Sequence, residues 1–261
     1  MAWGSFVKGI LGLWGVQCDR WGCLQQVLHQ QAGGHRQRGK VARDEVDAAP
    51  GPAVAQRHGH EITDAVHQPG GTVLLQLWQV VGVSHPSYLG GALPVAPSAI
   101  APEGHVSLVR PKVNYVVPRA LELSEIPGIV AAYRKGAENA KRAGFDGVEV
   151  HGANGYLLDQ FLQSSTNTRT DAYGGSVENR ARLMLEVVDA CIGVWGAARV
   201  GLHLAPRGDA HTMGDANPRG TFGHVARVMG KRNVALLCAR AYQRARSHGP
   251  CAFAPYTASH R

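Results

Sequence analysis

Three polar side chains suited to chemistry lie directly after an apolar stretch near the middle of the chain. His151, Asn154 and Tyr156 follow GVEV at 147–150. The imidazole and the amide offer N–H donors, which can hold and polarise one carbonyl or nitro oxygen. A phenol beside them can supply a proton as a general acid. The spacing alone leaves a second interpretation open, a polar loop in which the histidine caps the strand and the tyrosine packs.

The elements around this cluster alternate apolar strands with amphipathic helices from residue 72 onward. Such alternation is typical of right-handed βα units on a parallel sheet, where ligands bind at the carboxyl ends of the strands. The pattern does not separate a barrel from a doubly wound sheet, although the absence of GxGxxG argues against a dinucleotide site of the Rossmann type. Strands are predicted at 72–81, 147–153, 199–206 and 234–240, and helices at 59–69, 124–144, 176–196 and 217–233, with Ser124 and Ser176 as caps.

Gln76 is the one polar residue in the apolar centre of the first of these strands, TVLLQLWQVV at 72–81. A buried amide needs hydrogen-bond partners, so either the protein or a ligand must satisfy it. A long segment rich in proline and glycine follows at 82–123, and loops of that length in a compact domain are usually functional or disordered.

Charge and cysteine usage exclude several classes of protein. The formal net charge is +8, but residues 61–196 hold 10 Lys/Arg against 13 Asp/Glu, so the basic excess lies in the flanks and argues against nucleic-acid binding. No apolar run reaches 18 residues, so no membrane span is predicted, and Lys8 interrupts a weak resemblance to an export signal. Five irregularly spaced cysteines without a CxxC pair or metal-ligand spacing fit a reducing cytoplasm and predict no metal site.

The pattern of strands and helices is confined to the middle of the chain. Residues 1–58 show no clear period and are predicted to be loop or disordered, and residues 240–261 show no signal for strand or helix. We therefore predict three segments: an unmatched N-terminal segment at 1–58, an α/β domain at 59–239, and an unmatched tail at 240–261.

The segments HGANGYLLDQFL (151–162) and RTDAYGGSVENR (169–180) resemble the Old Yellow Enzymes, the flavin-dependent ene-reductases. The resemblance covers roughly residues 60–239. It implies a (β/α)8 TIM barrel with FMN at its mouth, reduced by NAD(P)H and passing hydride from flavin N5 to an activated C=C bond. By the same resemblance, His151 and Asn154 bind the substrate oxygen, Tyr156 donates the proton, and Gln76 hydrogen-bonds the flavin pyrimidine edge.

The chain also departs from the family pattern. His203, in VGLHLAP, stands where the family has an arginine beside the flavin, so it is assigned to the cofactor with a weaker electrostatic contribution. Only about strands three to six of the barrel are recognisable, and the family's contacts to the FMN phosphate would follow residue 240. The abrupt loss of pattern near 58 and 240 predicts out-of-frame or spliced flanks.

Two functions therefore stay open. The first is an FMN-dependent NAD(P)H oxidoreductase of the Old Yellow Enzyme class, cytoplasmic, acting on α,β-unsaturated carbonyl or nitro compounds as small-molecule substrates. The second is a catalytically inactive, degenerate barrel fragment with weak or no flavin binding, persisting as an oligomer or an interaction module. Neither function involves a nucleic acid or a membrane, and the sequence leaves a homo-oligomer open.

Overall fold

A computed structural model of the protein describes residues 17–18, 23–27, 60, 62–106 and 109–240. The described strands form one six-stranded sheet in the order β1-β2-β3-β6-β7-β8 and a separate pair, β4 and β5. Every neighbouring pair in the large sheet is parallel except β1 with β2. The strands are β1 (Gln17–Cys18), β2 (Cys23–Val27), β3 (Thr72–Leu77), β4 (Val95–Ala96), β5 (Arg119–Ala120), β6 (Gly147–Gly152), β7 (Val200–Leu204) and β8 (Leu236–Ala239).

Helices connect the parallel strands β3, β6, β7 and β8, as the sequence predicts. A short helical segment at 62–67 precedes β3. The other α-helices are α1 (Ile126–Arg142), α2 (Leu157–Leu162), α3 (Val177–Trp195) and α4 (Pro218–Arg232). No helix in the described part of the chain has the length and apolarity needed to cross a membrane.

The core lies between the sheet and the helices, and β6 is its central strand. All six residues of β6 are buried. Val148 and Val150 belong to the hydrophobic core together with residues of α1 and α3, while Glu149 alternates with them and points to the opposite face of the sheet. α1 packs against α3, and the indole N–H of Trp195 donates to the carbonyl oxygen of Ala137 at 3.0 Å. This packing holds β6, and therefore the residues at its carboxyl end, against the layer of helices.

One of the two predicted helix caps is confirmed and the other is wrong. Ser176 caps α3, its hydroxyl accepting the backbone N–H of Asn179 at 3.2 Å. Ser124 does not cap α1 but lies inside a 3₁₀ turn, Leu123–Glu125. A capping box formed by Glu122 and Glu125 begins that turn, so the helical region starts two residues earlier than predicted.

Two parts of the described structure differ from the sequence prediction. Residues 17–18 and 23–27, predicted to have no regular structure, form β1 and β2, because β2 pairs with β3 over five consecutive residues and this long-range pairing outweighs a weak local pattern. The short helix α2 was not predicted, because its six residues make fewer than two helical turns and all of them are buried, including the polar Asp159 and Gln160. The segment at 82–123 has little regular structure: apart from the 3₁₀ turns Val81–Val83, which begins one residue before it, and Pro86–Tyr88, it contains the two-residue strands β4 and β5.

Candidate active site

Polar and aromatic side chains meet where β3, β6 and β7 end. Trp78 directly follows β3, His151 is the fifth residue of β6, and His203 is the fourth of β7. Because these strands are parallel neighbours, their carboxyl ends meet at one edge of the sheet. Tyr156 packs against two of these rings, with ring centroids 4.6 Å from Trp78 and 5.4 Å from His151. We call Trp78, His151, Tyr156 and His203 the aromatic cluster.

His151 and His203 face each other across adjacent strands. They are register partners in the β6–β7 pairing, so their side chains leave the same face of the sheet. Their rings meet edge to face with centroids 5.0 Å apart, and the two Nδ1 atoms are 3.3 Å apart. His151 is only 4% exposed. The two imidazoles therefore form one hydrogen-bonded unit, not two independent donors.

Both imidazoles are held in the neutral form. Burial first, and then the neighbouring His203, lower the pKa of His151 to about 3, against a small opposing contribution from the Ala153 carbonyl. Burial and the positive charge of Arg240 lower the pKa of His203 to about 4. At neutral pH each ring therefore carries one N–H and one lone pair.

Asn154 reaches the same place because the chain reverses after β6. Asn154 and Gly155 both adopt left-handed backbone conformations, with φ of 59° and 76°. Asparagine tolerates this region better than most residues, and glycine has no steric cost there. The turn places Asn154 Nδ2 at 3.5 Å from Nε2 of His151. A Cβ on Gly155 would lie 2.9 Å from the backbone oxygen of Ala210, so this reversal also requires glycine for space.

Tyr156 is half-buried, and its phenol keeps its proton. Burial, and then the nearby Tyr115 hydroxyl, raise the pKa of Tyr156 above its ordinary value. A phenol that stays protonated at neutral pH beside two N–H groups has the properties of a proton donor to a substrate held by those groups.

Gln76 lies deeper in the sheet than the aromatic cluster and does not join it directly. Its register partner on β6 is Glu149, two residues before His151, and its Nε2 donates to Oε2 of Glu149 at 2.5 Å. Burial raises the pKa of Glu149, against hydrogen bonds from Gln76 and Cys238. The buried amide of Gln76 is therefore satisfied at its nitrogen by Glu149, and its carbonyl oxygen points away from Glu149.

Several residues at this site were not predicted from the sequence. His211, in the loop after β7, donates its Nδ1–H to the carbonyl oxygen of Asn154 at 2.9 Å, and its ring centroid lies 6.0 Å from those of Tyr156 and Tyr115. The position of His211 in the loop that follows a predicted strand was the one sign in the sequence that it could belong to the site. Glu149 was read as part of an apolar strand, although a carboxylate between two valines indicates a buried acid. Trp78 lies within the predicted strand at 72–81, and the sequence pattern does not distinguish it from the apolar residues around it.

The second of the two family-like segments, RTDAYGGSVENR (169–180), stabilises the surrounding loops and lies outside the aromatic cluster. Arg180, 9% exposed, donates through Nε to the carbonyl oxygen of Leu162 at 2.8 Å and pairs through Nη2 with Oδ2 of Asp215 at 3.1 Å. Burial would raise the pKa of Asp215. Hydrogen bonds from the backbone of Asn217 and Ser164 and the hydroxyl of Thr221, together with the charge of Arg180, outweigh burial and lower this pKa.

Arg169 does the same for the loop between α2 and α3. Its Nη1 donates to the carbonyl oxygens of Pro97 and Leu121 at 3.0 and 2.6 Å, and its Nη2 pairs with Asp171 at 2.6 Å. Arg180 thus ties Asp215 to the end of α2, which directly follows Tyr156, and Arg169 ties the loop after α2 to Pro97 and Leu121.

Comparison with known proteins agrees with this geometry. Residues 55–252 match the model of the NADH:flavin oxidoreductase / NADH oxidase family. The chain belongs to this family, as one of its Old Yellow Enzymes. It is 45% identical over 170 residues to the flavin oxidoreductase hxnT of Emericella nidulans, covering 63% of this chain and 42% of that protein. It is 40% identical over 202 residues to 12-oxophytodienoate reductase 2 of Arabidopsis thaliana, covering 75% and 53%.

Solved structures give the same result for the fold. The Old Yellow Enzyme homologue from Zymomonas mobilis matches with a TM-score of 0.70 at 39% identity, over 72% of this chain and 53% of that one. Morphinone reductase matches with a TM-score of 0.68 at 44% identity, over 72% and 52%. The chain spans about half the length of the curated relatives it matches. Its sheet and helices are therefore part of a TIM barrel, which confirms the predicted fold class.

The residues present fit one edge of an FMN ring system. With its nitrogen end held by Glu149, the Gln76 amide can offer its carbonyl oxygen to a ring N–H, which is the kind of group the flavin pyrimidine edge carries. His203 supplies no positive charge, because burial keeps it neutral. The predicted contacts to the phosphate fall after residue 240, outside the described residues.

Proposed function

We propose that this chain carries the substrate-binding part of an FMN-dependent ene-reductase site. The observation that carries the proposal is the 3.5 Å approach of His151 Nε2 and Asn154 Nδ2 beside the protonated phenol of Tyr156. Two neighbouring donors can share one carbonyl or nitro oxygen and withdraw electron density from the conjugated C=C bond. Tyr156 then donates its proton to the α-carbon. When bound, FMN supplies the hydride, which it receives from NADH or NADPH.

The assignment of Gln76 and His203 to the cofactor belongs to the same proposal. Gln76 would hold the pyrimidine edge through its amide, and His203 would lie near the flavin as a neutral group. Since the charge expected at the position of His203 is missing, flavin binding should be weaker than an arginine there would give. This departure also favours the second candidate, a barrel with little or no flavin. We keep residues 59–239 as the proposed domain, and a cytoplasmic location, which the free buried thiol of Cys191 supports.

FMN binding decides between the two candidates. The full chain is titrated with FMN, and the quenching of flavin fluorescence is followed together with its visible absorption. Saturable binding with a shifted flavin spectrum, followed by NADPH-dependent loss of an α,β-unsaturated ketone, supports the ene-reductase. No saturable binding at tens of micromolar FMN would refute it and favour the inactive barrel.

The Tyr156→Phe variant tests the proton donor within that site. Removing a general acid should slow alkene reduction by roughly 10²-fold or more, while leaving the rate at which NADPH bleaches the bound flavin unchanged. Tyr173→Phe is the matched control, because the Tyr173 hydroxyl hydrogen-bonds Glu186 on α3 and not a residue of the aromatic cluster. Equal alkene reduction by the wild type and Tyr156→Phe would remove Tyr156 from the mechanism.

A further inference from the structure

The contact between His151 and His203 has room for a single hydrogen. Their Nδ1 atoms are 3.3 Å apart, which is hydrogen-bond distance, and the strands that carry them are paired in register at these two residues. Two neutral imidazoles can share such a contact only if one Nδ1 carries the hydrogen and the other offers its lone pair. The tautomer of each ring is therefore set by the other.

The two possible arrangements have opposite consequences for the site. If His151 carries its hydrogen on Nδ1, its Nε2 is a lone pair, and the Asn154 amide 3.5 Å away donates to it, so neither group is free to bind an oxygen. If His203 carries the hydrogen on Nδ1, the Nδ1 of His151 accepts it and the hydrogen of His151 lies on Nε2. Nε2 and Nδ2 of Asn154 are then two adjacent donors that can share one acceptor.

We propose that His203 is a positioning residue that donates its Nδ1–H to Nδ1 of His151 and thereby holds the hydrogen of His151 on Nε2. The use of this arrangement to bind a substrate oxygen rests on the proposed function. The tautomers themselves do not, because they exist without substrate or flavin. It gives His203 a role that an arginine could fill with a guanidinium N–H, and that a residue without a donor could not.

The surroundings of the pair support a fixed arrangement. His151 lies edge-on to Trp78, with centroids 6.0 Å apart and planes at 62°, and Tyr156 packs against both rings. A half-turn of the His151 ring would place a carbon opposite Nδ1 of His203 and break the hydrogen bond between the two rings. Burial keeps both rings neutral, with pKa values of about 3 and about 4, so the arrangement holds throughout the neutral range.

Nitrogen-15 NMR of the full chain without FMN or substrate reads the arrangement directly. Long-range ¹H–¹⁵N correlations of ¹⁵N-histidine-labelled protein distinguish a nitrogen that carries hydrogen from one that does not. The expected result is hydrogen on Nε2 of His151 and on Nδ1 of His203, with a ¹⁵N–¹⁵N coupling across the bond. Hydrogen on Nδ1 of His151 in the wild type would overturn the proposal.

Two variants of His203 separate the hydrogen bond from the shape of the ring. His203→Asn keeps an N–H near the Nδ1 position and should preserve the His151 tautomer. His203→Phe keeps a ring but removes the donor, and loss of a hydrogen bond worth about 1 kcal/mol corresponds to about a fivefold shift of the His151 tautomer ratio towards Nδ1–H. An unchanged ratio in a folded His203→Phe protein would also overturn the proposal.

The control and the readout keep this test independent of catalysis. His85→Gln removes a half-buried histidine outside the aromatic cluster, whose ring is hydrogen-bonded to Ser87, and it should leave the His151 signals unchanged. If the chain fails to bind FMN while His151 still carries its hydrogen on Nε2 in the wild type, the proposed function fails and the role of His203 stands. The reverse outcome removes the role of His203 and leaves the ene-reductase proposal to its own test.

Discussion

Asp159 should make the protein less stable as the pH rises from about 4 to about 7. Its side chain is 1% exposed, and burial raises its pKa from 3.8 to about 7 against hydrogen bonds from Gln163 and Gly155. Between these two pH values the folded state keeps a proton that the unfolded state has released. The unfolded state therefore binds fewer protons, and the free energy of unfolding falls as the pH rises. Three pKa units correspond to roughly 4 kcal/mol as an upper limit.

Replacing Asp159 with asparagine removes the titration while keeping the shape. The new carbonyl oxygen can accept the backbone N–H of Gly155, as Oδ2 does now at 3.0 Å, and the new amide can donate to Gln163 once that side chain turns over. We expect wild type and Asp159→Asn to be similar in stability at pH 5. At pH 8 the variant should be more stable than the wild type by roughly 2–4 kcal/mol.

Urea unfolding followed by tryptophan fluorescence at several pH values gives the two curves. Only their difference is diagnostic, because the lowered pKa values of His151 and His203 act in the opposite direction and weaken both proteins as the pH falls below about 6. Curves that run parallel from pH 5 to pH 8 would show that Asp159 is ionised throughout, which refutes the reasoning. Asp64→Asn, an exposed aspartate, controls for the loss of a surface charge.

Two further substitutions test the packing around the site by urea unfolding. Gly155→Ala should destabilise the protein by about 1–3 kcal/mol, because it places a Cβ 2.9 Å from a backbone oxygen at a positive φ; Gly193→Ala, exposed within α3 with nothing within 4 Å, should instead be neutral or stabilising by up to ~1 kcal/mol. Arg180→Met should cost about 3–5 kcal/mol, because it leaves Asp215 without its cationic partner; the exposed Arg182→Met should cost less than ~1 kcal/mol, and equal losses would contradict the structural role of Arg180.

The sequence was sufficient for features that depend on short-range pattern. The alternation of strand and helix, the Ser176 cap and the grouping of His151, Asn154 and Tyr156 all follow from residues close together in the chain. The family-like segments extended this to the barrel, because HGANGYLLDQFL is specific enough to identify a complete strand end and its loop.

Features that depend on the register between distant strands could not be predicted from the sequence. Gln76 and Glu149 are 73 positions apart, and only the β3–β6 pairing shows that the one satisfies the other. The same holds for β2, whose CLQQV sequence has no period of its own and becomes a strand beside β3. His211 was missed for a different reason: it has a positive φ of 58°, which a non-glycine residue rarely adopts and no simple pattern predicts.

The spacing of HGANGYLLD follows from the turn that brings His151 and Asn154 together. Because two successive residues are left-handed, the Asn154 carbonyl and the Gly155 N–H cannot form the hydrogen bonds of a regular strand or helix. Both groups need other partners when they are buried. The His211 ring donates to the first group and the Asp159 carboxyl accepts from the second. Asp159 can do so because α2 begins directly after Tyr156, which places a carboxylate four residues after Gly155 within reach of its N–H. The buried acid that weakens the protein at high pH is therefore one of the groups that hold the proposed oxygen-binding donors in place.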